Sequence, residues 1–75
     1  MYLKKIQNLI SNKMGIEPHE IEPSSFFDED LNMGELEFGE LIEQLELIYD
    51  IEIADLTEEV ETVEDLVTIL TEEFE

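Results

Sequence analysis

Cysteine, arginine and tryptophan are all absent from this chain, which also has only two prolines, three glycines and one histidine. Without cysteine there is no disulfide framework and no zinc–thiolate site, so only helix packing or a bound ion remains to staple a small fold. A reducing cytoplasm suits such a composition, and that is the expected location. With His19 as the lone histidine, the nucleophile–base pairs of covalent and acid–base catalysis cannot be assembled, and Ser24 and Ser25 have no base partner implied by the sequence. Paired carboxylates are so abundant that their spacing carries no signal, and the chain reads as a non-enzyme. Long apolar runs are missing too. No stretch approaches the roughly 18 apolar residues of a membrane span, and the N-terminal MYLKKIQNLI lacks the apolar core and small-residue cleavage site of a signal peptide.

Positive charge is scarce and confined. Lys4, Lys5 and Lys13 all precede the first acidic residue, Glu17, and stand against 22 acidic residues for a formal net charge of −19. A nucleic-acid surface needs clustered Lys/Arg to release counterions, so nucleic acid is excluded and basic partners are expected. The 75 residues are 43% hydrophobic, and the apolar positions recur at helical spacing, which argues against disorder. Residues 1–75 are expected to form one domain, a monomer, burying only about 60% of the surface its unfolded form exposes.

Leu3, Ile6, Leu9, Ile10 and Met14 recur at intervals of three and four and predict a first helix over residues 2–14, stopped by Gly15. Residues 16–34 hold Pro18, Pro23 and the isolated apolar residues Ile16, Ile21, Phe26, Phe27 and Leu31, a long loop with apolar anchors. From Glu35 to Tyr49, the stripe Leu36, Leu41, Ile42, Leu45, Ile48 and Tyr49 predicts a second, strongly acidic helix. Gly39 lies inside it at a cost of about 1 kcal/mol, for which packing must compensate. DIEIAD, residues 50–55, alternates like a strand but has no strand to pair with and reads as an extended connection. One helical turn is expected over 57–61. Thr62 followed by Asp65 is a variant of the capping box, opening a last helix with the stripe Val63, Leu66, Val67, Leu70 and Phe74.

The stretch DEDLNMGELEFGE, residues 28–40, raises the question of a calcium loop. Asp28, Asp30 and Asn32 match ligand positions 1, 3 and 5 of an EF-hand, but glycine then falls at 7 (Gly34), the apolar residue at 9 (Leu36) and Glu40 at 13. One inserted residue displaces both the turn and the bidentate ligand. No specific metal site is expected; Asp28, Asp30, Asn32 and Glu40 remain weak candidates for diffuse divalent-ion binding.

Taken in order, MGIEPHEIEPSSFFDEDL, the helix with its L…EL…LE pattern, YDIEIAD and TVEDLVTIL together resemble an acyl carrier protein over roughly residues 3–71, most specifically in PSSFFDEDL and DIEIAD. The resemblance implies an all-α, four-helix bundle with a long loop between helices I and II and a short helix III, and an acidic helix II that docks on basic patches of fatty-acid or polyketide-type enzymes. The family's Asp-Ser-Leu, whose serine carries 4′-phosphopantetheine, falls in register with Gly34-Glu35-Leu36. A carboxylate cannot become that phosphodiester, so no cofactor is expected; phosphopantetheine would be present only if the register were wrong and Ser24 or Ser25 carried it. Glu35 in a first turn is favourable with the helix dipole, and it also supplies fixed negative charge where the phosphate would be. Glu43 stands where the family usually presents an exposed apolar residue, and Gly39 replaces a branched one. The expected partner surface is Glu35, Glu37, Phe38, Glu40, Glu43 and Glu46. The expected function is a carrier-like docking module; the alternatives are a genuine substrate carrier and, third, an ion-binding module.

Overall fold

The computed structural model describes residues 2–74. Three α-helices, α1 (Tyr2–Met14), α2 (Glu35–Tyr49) and α3 (Val63–Phe74), are joined by segments that contain 3-10 turns at Pro18–Glu20 and Ala54–Leu56. The architecture is all-helical, and among the described residues the only β pairing is an isolated antiparallel bridge between Phe26 and Thr62. α1 packs against both α3 and α2. Ile6 and Ile10 from α1, Leu41 and Leu45 from α2, and Val63, Leu66 and Leu70 from α3 are completely buried together.

Both ends of the predicted helices have identifiable stops and starts. Gly15, at φ +74°, donates its N–H to the Ser11 carbonyl at 2.9 Å, a left-handed position that a residue with a Cβ adopts only at a cost. At α3 the reciprocal box is complete: Thr62 Oγ1 accepts the Asp65 N–H at 3.2 Å, and Asp65 Oδ2 accepts the N–H groups of Glu61 at 3.0 Å and Thr62 at 3.1 Å. These bonds hold the Asp65 carboxyl below its ordinary range, the Glu61 bond most and the Thr62 bond next.

The loop from Gly15 to Gly34 is pinned by Ile21, Phe27, Leu31 and Met33, all buried, and by Gln7 Nε2, which donates to the Ile21 carbonyl at 2.7 Å. Phe26 is not one of the anchors, being 37% exposed. The Phe27 N–H is tied to the Glu61 carbonyl at 3.0 Å, which fixes Phe27 as the inward residue, and its neighbour in a tight turn cannot face the core as well. Ile16 is half-buried.

Three further expectations are corrected. The one helical turn expected over 57–61 is present only as a turn closed by the Val60 N–H on the Thr57 carbonyl at 3.2 Å; the 3-10 turn between α2 and α3 lies earlier, at Ala54–Leu56, and the described residues hold three α-helices. Thr57 closes the 3-10 turn by donating Oγ1 to the Ala54 carbonyl at 2.8 Å, and an isolated turn carrying Asp55, Glu58, Glu59 and Glu61 has too few bonds and too much like charge to nucleate an α-helix. Second, Leu36 is 71% exposed. At about 100° per residue it lies on the face opposite Phe38, Leu41, Ile42 and Leu45, while Ile48 sits at the flank of that stripe and is partly exposed. Third, Phe74, one turn beyond Leu70, is exposed rather than packed.

Gly39 is also exposed, and a Cβ placed on it would meet nothing within 4 Å. Its helical cost is met by the burial of Leu41, Ile42 and Leu45 further along α2.

Candidate docking site at the head of helix α2

Met33, 4% exposed, fixes the end of the loop so that Gly34 becomes the N-cap of α2 with extended backbone. Gly34 has no side chain to accept a first-turn N–H. The cap works in the other direction, with the Gly34 N–H donating to Glu37 Oε1 at 2.9 Å. Glu35 and Glu37 both lie in the first turn, where the helix dipole favours negative charge. Glu37 is half-buried in this cap, whereas the Glu35 carboxylate is exposed and accepts no hydrogen bond from the described residues.

The six acidic and aromatic residues singled out from the sequence thus separate into two groups. Glu35, Glu40 and Glu43 are exposed. Glu43 is free, and Glu40 is joined to Lys13 at the end of α1 by an ion pair of 3.0 Å. Glu37, Phe38 and Glu46 are half-buried and serve the fold. Phe38 meets Phe27 edge to face, with ring centroids 5.0 Å apart. Glu46 Oε2 accepts the N–H groups of Ile53 at 2.8 Å and Ala54 at 3.1 Å, which fastens the connection after α2 back onto that helix.

Two exposed leucines complete the outer face and are not apparent from the acidic pattern alone. Leu36 and Leu47, 71% and 79% exposed, share the side of α2 that carries Glu40 and Glu43. Their spacing of eleven residues, three helical turns, was the available signal. The face is therefore acidic with two apolar contacts, and Gly39 leaves a shallow notch between Glu35, Leu36, Glu40 and Glu43.

The residues of the calcium reading are not brought together. Asp28 Oδ1 accepts the Glu29 N–H at 2.7 Å, Asp30 Oδ2 accepts the Phe26 N–H at 2.7 Å, Asn32 is held at φ +57°, and Glu40 is occupied by Lys13. Among the described residues no three Asp, Glu, His or Cys side chains are arranged to hold a metal ion. Of the two serines in the loop, Ser25 is buried, with its Oγ accepting the Glu22 N–H at 3.0 Å, and Ser24 is exposed in a turn ten residues before Gly34.

On its other side, Glu35 borders a cleft of about 400 Å³ between the loop, the first turn of α2 and residues 60–61. Phe26, Phe27, Met33, Phe38 and Val60 line it. No helix among the described residues is long and apolar enough to cross a membrane.

No family model matches the chain. A curated acyl carrier protein of Rubrobacter xylanophilus is 37% identical to it over 71 residues, an alignment that spans 93% of this chain and 88% of that protein.

Proposed function

The chain belongs to the acyl carrier protein family, and from that premise we propose that it is a carrier-fold docking module that engages basic surfaces of fatty-acid or polyketide-type enzymes without a prosthetic arm. Proteins of this family are carriers and not catalysts. The observation that carries the reading is Glu35, the exposed first residue of α2, at the position that the resemblance sets in register with the family's attachment serine.

The side chains at this position do not fit 4′-phosphopantetheine. The arm is held through a phosphodiester, which needs a hydroxyl, and Gly34-Glu35-Leu36 offers none. Ser25 is buried and engaged, and Ser24 is not at a helix start. In place of the arm, Glu35 gives a fixed negative charge at the dipole-favoured end of α2, continuous with Glu40 and Glu43 along the outer face. Basic partner surfaces are drawn to that face by its charge, and Leu36 and Leu47 supply apolar contact once docked. The module acts as a single domain, as a monomer and in the cytoplasm, with clustered carboxylates taking up divalent ions only diffusely.

A second reading, a genuine substrate carrier in lipid or secondary-metabolite synthesis, is favoured by the relationship itself, since a 37% identical relative carries that name. Intact-mass measurement after incubation with a phosphopantetheinyl transferase and coenzyme A separates the two. The unmodified mass is expected for the native protein. Gain of the arm, mapped to Ser24 or Ser25, would replace the first reading with the second. In Glu35→Ser, gain of the arm shows that one side chain separates the chain from a working carrier, and continued refusal assigns the change to Gly34, Gly39 and Glu43 as well.

A further inference from the structure

The cleft behind Glu35 lies apart from the outer face of α2 and has a chemistry of its own. Its volume of about 400 Å³ is within the range of sites that take a ligand group, and its floor is apolar. Phe26, 37% exposed, stands at the cleft's edge on a backbone tied by several main-chain bonds. The Phe26 N–H donates to Asp30 Oδ2, its carbonyl accepts the N–H groups of Asp30 and Leu31 at 3.0 and 3.1 Å, and its backbone bridges Thr62. The backbone that carries this partly exposed ring is already ordered, so no loop-ordering cost is added when the ring is covered.

The rim is all one sign. Glu29, Glu35 and Glu61 are exposed, their carboxylates accept no hydrogen bond from the described residues, and no Lys lines the cleft. An anionic guest, including a free fatty acid, would be repelled by this rim, and a neutral one would leave it uncompensated. The cations must come from outside, because the chain has three lysines and one of them is held by Glu40.

We propose that this cleft is a peptide-docking pocket for a basic partner: an apolar side chain of the partner, of Leu or Phe size, seats on Phe26, Phe27 and Phe38, and flanking Lys or Arg residues pair with Glu29, Glu35 and Glu61. The proposal rests on the reading of the protein as a docking module and adds a second contact, distinct from the outer face of α2.

The test is a titration of the full-length, ¹⁵N-labelled protein with the synthetic peptide Lys-Arg-Phe-Leu-Arg-Lys, followed by amide chemical shifts. Saturable changes are expected at Phe26, Phe27, Glu29 and Glu61, with at least tenfold weaker binding of Lys-Arg-Gly-Ser-Arg-Lys and no binding of Glu-Glu-Phe-Leu-Glu-Glu. Phe26→Ser leaves every main-chain bond of that residue in place and is expected to lose tenfold or more for the apolar peptide alone. The double variant Glu29→Gln with Glu61→Gln, both at exposed positions that belong to the cleft and not to the outer face of α2, is expected to lose severalfold for both basic peptides and serves if Phe26→Ser does not fold. Equal affinity for the two basic peptides, binding of the acidic one, or no binding of any overturns the proposal. Shift changes confined to Leu36, Glu40, Glu43 and Leu47 overturn it while leaving docking through α2 intact, and the docking reading itself falls by the separate mass measurement.

Discussion

Asp65 is the residue on which the start of α3 depends, because its carboxylate accepts two backbone N–H groups while its own N–H is taken by Thr62. Asp65→Ala is expected to cost on the order of 1 kcal/mol at pH 7, measured by urea denaturation. Its folded pKa is depressed. The stabilisation is therefore fully present above the unfolded value, about 3.9, and is lost as pH falls through the lower folded value. The difference between native and variant proteins should hold from pH 7 to about 5 and shrink below about 4. Equal differences at pH 7 and pH 3 would show that the carboxylate charge is not what matters. Gly39 works in the opposite direction. It has open space around it, so Gly39→Ala is expected to raise stability by about 1 kcal/mol, read as a shift in the urea midpoint at unchanged slope. A loss instead would mean that the notch between Leu36 and Glu43 is needed by the fold.

At the scale of the element, α2 carries both the docking face and part of the scaffold, and variants must respect the division. Glu43→Lys reverses an unpartnered, exposed charge and is expected to weaken binding to a basic partner by tenfold or more without lowering the melting temperature. Glu40→Lys sets a second ammonium against Lys13 and is expected to cost about 1 kcal/mol in addition, seen as a lower melting temperature. Unchanged partner binding by folded Glu43→Lys would move the interface away from α2. The limits of sequence reading lie along the same line. The three long helices, the Gly15 stop and the Thr62–Asp65 cap were legible because each depends on residues within a few positions of one another. Phe38 and Glu46 read as surface because their partners are a ring and a connection brought up by the tertiary fold, whereas Glu37 caps Gly34 three residues away and read as surface because a glycine N-cap has no side chain to signal the box. Phe26 and Phe27 were indistinguishable for a similar reason: the bond from the Phe27 N–H to the Glu61 carbonyl, 34 positions away, decides which ring turns inward. At the head of α2 the substitution of Glu35 was visible from the start, but the cleft beside it was not, because its walls come from three separated segments.

For the whole molecule the governing quantity is the net charge of −19 in a body of 27 × 23 × 20 Å. Carboxylates this crowded repel at distances comparable to the Debye length, about 10 Å at 0.1 M salt, so the melting temperature is expected to climb when NaCl is raised from about 10 to 150 mM. Magnesium and calcium at millimolar levels should act alike, since the described residues hold no arranged metal site. A melt insensitive to salt would remove repulsion as a determinant of stability, and a rise with calcium alone would restore a selective loop. One carboxylate among the 22 has a different bearing on the whole. Glu46 seals the Ile53 and Ala54 amides, which lie where the chain has left α2 and would otherwise be free to breathe with the solvent. Ile53 is also completely buried. Deuterium should consequently enter the buried Ile53 amide only when the entire chain opens, at the rate of the slowest amides of α2, and in Glu46→Ala both amides should exchange through a local fluctuation many times faster while the amides of α1 keep their protection.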